Sequence, residues 1–165
     1  QKEKNFTDDH KIKSVRPIYH HKLRYRLSYA PFTNLSFRST FDYNAVNIKG
    51  ESTSVGFQFV QSISYAFAQF PLKLEAQVSY FHTDDYASRV YSYEKGMLHS
   101  FYSPSFYGIG NRLAMHARWD LSKNWMVIAK YGQTTYYDRE EISSGNDLIR
   151  SNRKQDLQLQ LRVKY

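Results

Sequence analysis

Apolar and polar residues alternate with a period of two along most of the chain. Seven runs have this pattern, at about residues 18–29, 35–44, 55–67, 72–80, 112–120, 125–132 and 157–165. In the last run Leu159 and Leu161 share one face, and Gln158 and Gln160 share the other. A period of two is typical of β-strands with one apolar face, and no segment has a sustained helical period. The pattern predicts an all-β fold.

The links between the runs alternate between short and long. Tight turns are expected at 30–34, 69–71 and 121–124, and long polar loops at 44–53, 82–111 and 138–153. Short turns at one end and long loops at the other are typical of antiparallel outer-membrane barrels. The loop at 82–111 also contains two strand-like segments, Val90 to Tyr93 and Ser100 to Tyr107, which predict a further hairpin of undetermined position.

Alternation alone does not say whether the apolar face points inward, as in a soluble barrel, or outward to lipid. The runs are about 10–12 residues long, near the roughly 9–11 that cross a bilayer at a tilt. Aromatic residues cluster at the run ends, as in the girdles of membrane barrels. These predicted interface residues are Tyr29, Phe67, Trp119 and Trp125 near the short turns, and Tyr43, Tyr80 and Tyr137 near the long loops. The sequence therefore favours a transmembrane β-barrel.

Composition supports the same interpretation. Aromatic residues make up 17% of a chain that contains 15 Tyr and 11 Phe, and so many large rings need apolar surroundings. No run approaches the roughly 20 apolar residues of a transmembrane helix. Cysteine is absent, which excludes disulfides and thiolate metal sites.

Basic residues concentrate on the polar side of the runs. The predicted set is Arg24, Arg26, Arg38, Lys73, Arg112, Arg118, Lys130 and Arg162, with Asp42, Glu75 and Asp120 as counter-charges. A charge facing lipid near the midplane costs about 2–4 kcal/mol, so we expect this face to line the lumen. Such a lumen either favours anions or is filled by a network of paired charges, and the sequence leaves both open.

Other chemistry receives less support. The net charge of +8 suggests nucleic acid, but the aromatic and basic residues lie on opposite faces, whereas a base-stacking platform needs them together. His82 near Asp84 and Asp85, and His116 further on, have no spacing that specifies a shared catalytic or metal site. We predict no catalytic residues, no metal, no cofactor and no nucleic-acid partner.

Strand parity bears on the start of the chain. Bacterial barrels have an even strand number with both termini periplasmic, and seven strands do not satisfy this rule. Either Lys11 to Arg16 forms a short additional strand, or the chain is the C-terminal portion of a larger barrel. Pro17 argues against the former, so we expect residues 1–17 to be an extracellular loop or partial strand. Residues 18–165 would then be the barrel, with about 7–9 strands in this chain.

Several segments resemble a family of large Bacteroidota outer-membrane proteins. The likeness lies in Thr83–Glu94, Tyr107–Arg112, Tyr136–Arg139, Ile142–Gly145 and Leu159–Tyr165. In that family a region containing helix-hairpin-helix motifs precedes a C-terminal β-barrel. The ending, with Leu159, Leu161, Val163 and Tyr165, also resembles the insertion signal of outer-membrane barrels. The resemblance implies a fold and a location, and no particular activity.

We therefore expect a multi-pass β-barrel of the Gram-negative cell outer membrane, either a structural or assembly component or a porin-like passive pore with a basic lumen. The expected partners are outer-membrane lipid and lipopolysaccharide, the barrel-insertion machinery and other outer-membrane proteins. The alternatives are an outer-membrane barrel enzyme and a soluble β-barrel binding protein.

Overall fold

The alternating runs fold as strands of one antiparallel sheet. The computed structural model describes residues 2–7, 13–100 and 103–164. The strands are β1 (Lys2–Thr7), β2 (Lys13–Phe32), β3 (Leu35–Ile48), β4 (Ser54–Ala66), β5 (Leu72–Thr83), β6 (Val90–Tyr91), β7 (Ser105–Phe106), β8 (Ile109–Trp119), β9 (Trp125–Tyr136) and β10 (Arg153–Val163). A 3₁₀ turn spans Gly145–Asp147.

Eight strands form the main sheet in the order β1-β2-β3-β4-β5-β8-β9-β10, and β6 pairs with β7 in a second, two-stranded sheet. Every pairing is antiparallel. The predicted all-β class and all seven predicted strands are confirmed. Among the described residues no pairing joins β10 to β1 or β2, so closure into a barrel stays a proposal. No helix in the described part of the chain is long and apolar enough to cross a membrane.

The N-terminal region contributes one short strand and the first residues of a long strand to the sheet. Residues 13–16 begin the long strand β2 and do not form a separate strand, whereas residues 11 and 12 lie outside the described part. The additional strand is Lys2–Thr7, which pairs with Lys13–Ile18. The carbonyl of Pro17 accepts a hydrogen bond from Lys49 N–H at 3.3 Å, at the end of β3. The N–H and C=O of one residue point to the same side of an antiparallel strand. The N–H that proline lacks would therefore point toward Lys49, just past the end of β3, and not toward β1. The pairing of Pro17 with β1 is unaffected.

The main sheet exposes its apolar face and buries its polar face, which is the reverse of the arrangement in a soluble protein. Large apolar side chains are exposed, among them Leu23, Tyr25, Leu27, Phe59, Val78, Met115, Leu157, Leu159 and Leu161. Polar side chains on the other face are buried, among them Thr40, Gln58, Gln77, Ser79, Arg112, His116, Lys130 and Thr134. We call these the outer face and the inner face.

The described part of the segment between β5 and β8, residues 84–100 and 103–108, folds over the inner face. The predicted hairpin forms within it as β6 and β7, but β5 pairs directly with β8, so the hairpin stays outside the main sheet. Gln77 Nε2 of β5 donates to Ser92 Oγ at 3.0 Å. The amide of Leu98 donates to Gln160 Oε1 of β10 at 2.8 Å. We call this segment the inner loop.

A small apolar cluster anchors the inner loop near the long-loop end of the strands. It consists of Phe81, Val90, Phe106, Tyr136 and Ile142, with Ile149 packed against it. The rings of Phe81 and Phe106 stack with their centroids 4.9 Å apart, and Tyr136 meets Phe81 edge-on at 5.6 Å. These contacts join the hairpin of the inner loop to β5 and β9.

Gly56 of β4 lets the backbone of the inner loop approach the sheet. A Cβ at this position would lie 2.2 Å from the backbone oxygen of Ser88, and Ser88 is fully buried. Ser88 Oγ donates to the carbonyl of Val55 at 3.0 Å. Glycine within a strand often marks such a close approach of another backbone.

We expect Gly56→Ala to lower the free energy of unfolding by about 1–3 kcal/mol, because the added methyl overpacks a contact with backbone. The control is Gly96→Ala, where the nearest atom to a Cβ would lie 3.3 Å away. Equilibrium urea unfolding, followed by tryptophan fluorescence, measures both. Equal stabilities for the two variants would contradict the close approach at Gly56.

Candidate functional site

The strand register brings the eight predicted basic residues to one face. Directly opposite residues of adjacent strands share a face, and Arg26, Arg112 and Thr134 are linked through the register partners Thr40, Val60 and Ser79. The same tracing holds for the other members, which are Arg24, Arg38, Lys73, Arg118, Lys130 and Arg162. This is the inner face.

Glu94 of the inner loop is the centre of a buried ion-pair network. Its carboxylate accepts hydrogen bonds from Arg112 Nε at 2.5 Å and Nη2 at 3.0 Å, and it pairs with Lys130 Nζ at 2.9 Å. The side chains of Arg112, Glu94 and Lys130 are 5%, 1% and 3% exposed. Arg112 Nη1 also pairs with Asp156 Oδ1 of β10 at 2.8 Å. Two cations and two carboxylates balance each other in this network.

Gly132 of β9 provides the space for the pair between Arg112 and Asp156. A Cβ at this position would lie 2.3 Å from Arg112 Nη2 and 2.7 Å from both carboxylate oxygens of Asp156. Arg112 Nη1 also donates to Thr134 Oγ1, two residues along the same strand, at 3.1 Å. The guanidinium is therefore held from β9, β10 and the inner loop together.

The three predicted counter-charges each pair with a basic side chain. Asp42 accepts a bidentate pair from Arg24, including Nη2 to Oδ2 at 3.2 Å. Asp120 accepts from Arg118 at 3.0 Å, and Glu75 lies 3.5 Å from Lys95 Nζ of the inner loop. Sequence reasoning missed Glu94 and Asp156. Asp156 lies two residues before Gln158, so the period of two places it on the same polar face and could have predicted it. No local pattern in the sequence predicts the position of Glu94.

The histidines considered for chemistry are not brought together. His82 packs against the ring of Phe57 at 5.5 Å, in register with the outer face, whereas His116 is buried on the inner face. Asp84 accepts the amide of Val55 at 2.8 Å, so it caps a strand end. Within the described residues, no group of three or more His, Cys, Asp or Glu side chains is arranged to hold a metal ion.

The predicted interface aromatics are all exposed on the surface. Tyr29, Phe67, Trp119 and Trp125 lie near the short turns, and Tyr43, Tyr80 and Tyr137 lie near the long loops. Leu159, Leu161 and Val163 of the predicted insertion signal are exposed on β10, whereas Tyr165 lies outside the described residues.

Asp85 and Asp138 fasten the loops at the far end of the strands. Asp85 Oδ1 accepts from Ser54 Oγ at 2.6 Å and from the amides of Ala87 and Ser88 at 2.7 and 3.2 Å. Burial alone would raise the pKa of Asp85, but these hydrogen bonds outweigh it and lower the pKa below its usual value. The pKa of Asp138 is likewise lowered, since the hydrogen bond from Arg139 at 2.7 Å outweighs burial. Arg139 also lies 4.4 Å from the ring of Tyr136.

Comparison with protein-family models, curated proteins and solved structures finds no match to this chain.

We expect Glu94→Gln to lower the free energy of unfolding by about 3–5 kcal/mol, because it leaves Arg112 and Lys130 buried beside a neutral amide. The control is Glu75→Gln, which removes a longer pair with the more exposed Lys95 and is expected to cost at most about 1 kcal/mol. Urea unfolding at constant salt measures both. A loss for Glu94→Gln no greater than the control would contradict the central position of Glu94.

The lowered pKa of Asp85 predicts acid sensitivity. A carboxyl whose pKa is lower in the folded protein than in the unfolded chain stabilises the fold above its usual pKa of 3.8. That stabilisation is lost as the pH falls through the folded pKa. We expect wild type to lose more stability than Asp85→Asn between pH 6 and pH 3, measured by urea midpoints at about one-unit steps. Asp147→Asn, at an exposed position, is the control and should follow wild type.

Proposed function

We propose that this chain is a membrane-spanning β-barrel protein of the Gram-negative outer membrane. It would act as a structural component or as a porin-like passive pore whose inner face is basic. The observation that carries the proposal is the inverted burial of the sheet. Leu157 and Leu159 are each 76% exposed on the outer face, while Arg112 and Lys130 are buried on the inner face.

Lipid is the occupant that best explains the outer face. Monomeric soluble proteins rarely expose contiguous apolar patches beyond a few hundred Å², yet the outer residues of β2, β3, β4, β5, β8 and β10 are large and apolar along most of their length. Transfer of such surface from water to hydrocarbon stabilises by about 25 cal/mol per Å². Exposed tyrosine and tryptophan at both strand ends match the headgroup level.

Strand length and hydrogen bonding support the same conclusion. The strands β3, β4, β5, β8, β9 and β10 have between 11 and 14 residues, enough to cross the roughly 30 Å hydrocarbon core at a tilt. In lipid every backbone polar group needs a partner. Among the described residues, β10 and the part of β2 beyond Ile18 each pair with a strand on one side alone, so these edges require closure. A barrel meets this requirement.

The alternatives have less support. A soluble β-barrel binding protein would place the apolar residues inside, which is the reverse of the observed burial. An outer-membrane enzyme would need its base and its polar partners on one site, but His82 and His116 lie on opposite faces, and Asp84 and Asp85 are engaged by β4.

The inner loop bears on the choice between a structural protein and a pore. It covers the inner face at β5, β8, β9 and β10 through Glu94, Lys95 and Leu98. Any passage is therefore narrowed on that side. The space that remains lies beside β2, β3 and β4, where cavities are lined by basic side chains.

Two substitutions that introduce the same charge at adjacent residues test the proposal. Leu159→Glu places a carboxylate on the outer face, and we expect it to lower the free energy of unfolding in phospholipid vesicles by about 1–3 kcal/mol, because the charge would face hydrocarbon. Gln158→Glu places it on the inner face, opposite Lys130 in the register, and we expect a loss below about 0.5 kcal/mol, because the side chain at this position is exposed and the new charge faces a cation.

Urea unfolding of vesicle-inserted protein, followed by tryptophan fluorescence, makes the comparison. Equal losses for the two variants would contradict outward-facing lipid contact. So would a wild-type protein that stays folded and monodisperse in buffer without detergent and does not float with vesicles.

A further inference from the structure

The inner face divides into a neutralised part and a part with surplus positive charge. On β8, β9 and β10, Arg112 and Lys130 are balanced by Glu94 and Asp156, and Arg118 by Asp120. On β2 and β3, Arg24 is neutralised by Asp42. For Arg26 and Arg38 the described residues supply no hydrogen bond and no ion pair.

Arg26 and Arg38 line one cavity. It is small, with about 20 Å³ of accessible volume, and its wall also includes Thr40, Gln58, Ser62 and Tyr93. In the register Arg26 of β2 lies opposite Thr40 of β3, and Arg38 of β3 lies opposite Ser28 of β2. The two arginines are therefore diagonal neighbours, each displaced by two residues from the partner opposite the other. Such diagonal neighbours are within reach of each other's long side chains, so both guanidinium groups can contact one ligand.

Gln58 is a second and independent indication of a ligand. Its side chain is 0% exposed, and neither its Nε2 nor its Oε1 has a hydrogen-bond partner among the described residues. A buried amide without partners is costly, and such a group in a folded protein calls for an unseen water, ion or ligand. Because Gln58 lines the same cavity as the two arginines, a ligand there can accept a hydrogen bond from Nε2.

The donors identify the ligand class. A guanidinium presents a planar fork that matches the oxygens of phosphate and carboxylate groups. Two such forks, an amide donor and the hydroxyls of Thr40 and Tyr93 provide more donors than a single-atom anion can use. Asp42, the one carboxylate in the wall, is already paired with Arg24.

We propose that this cavity binds a phosphate group, with Arg26 and Arg38 as its charge partners and Gln58 Nε2 as a neutral donor. The inference deepens the proposed function, on which it rests, by naming the anion class that the inner face would hold. The phosphate belongs either to a free solute or to a lipid headgroup that reaches the inner face, and the same residues would recognise both.

The test is a titration of the full chain, in micelles of a neutral detergent, with inorganic phosphate by isothermal calorimetry. Chloride replaces phosphate at equal ionic strength in a parallel titration. We expect saturable binding of phosphate and not of chloride. Arg26→Gln and Arg38→Gln should each weaken binding by about tenfold or more, since a hydrogen bond to a charged group contributes about 1.5–3 kcal/mol and 1.4 kcal/mol is tenfold.

Two further variants separate the site from general charge effects. Gln58→Met keeps the side-chain volume, removes the amide and should weaken binding roughly fivefold, as for one neutral hydrogen bond. Arg153→Gln makes the same change as the test variants at an exposed position of β10 whose phase puts it on the outer face. It should bind phosphate like wild type. Circular dichroism verifies that every variant keeps its sheet.

The remaining outcomes decide the proposal and its source of phosphate. Absence of saturable binding, equal binding of chloride, or equal weakening by Arg153→Gln would each overturn it. Phosphatidylglycerol added to the micelles supports a headgroup source if it competes with inorganic phosphate in wild type. Flotation of the same preparations with vesicles keeps the two proposals apart. Protein that floats without binding phosphate overturns the site alone, and protein that binds phosphate without floating overturns the membrane proposal alone.

Discussion

The arrangement of the inner face depends on one buried carboxylate. Arg112 and Lys130 come from neighbouring strands and lie where little water reaches them. Burying a charge costs several kcal/mol unless a partner and further hydrogen bonds compensate. No acidic residue of β8 or β9 faces them, and Asp156 of β10 reaches only Arg112. Glu94 comes from the inner loop, so Arg112 and Lys130 share their buried partner only when that loop lies over the inner face.

The same network restricts the register of the sheet. Because strand side chains alternate, a slip of one residue would move Arg112 or Lys130 to the apolar outer face and their leucine neighbours inward. Such a slip would destabilise both faces. The outer face would receive a charge, and on the inner face Glu94 would lose a cationic partner. The inverted polarity of the sheet and the position of the inner loop therefore stabilise the same pairing of β8 with β9.

Local patterns could be predicted from the sequence, and long-range contacts could not. The seven strands, their faces and the shared face of the eight basic residues follow from a period of two, which each run carries by itself. Glu94 lies in a loop with no periodicity, and its partners are distant in sequence. Phe81 and Tyr136 are apolar residues at positions that face the inner side of the sheet. Their burial depends on packing with Phe106 of the inner loop, which the local pattern does not predict. The strand at Lys2–Thr7 has no clear alternation, so pairing with β2 defines it.

The division of the inner face into a neutralised and a cationic part follows from topology. β5 and β8 are neighbours in the sheet. The loop that joins them therefore begins and ends at adjacent strands, and it covers the part of the inner face close to them. Its acid, Glu94, reaches β8 and β9, and the loop reaches β3 through the carbonyl of Arg89, which accepts from Asn44. The surplus on β2 and β3, beside the unpartnered Gln58, is the charge that the proposed phosphate group would balance.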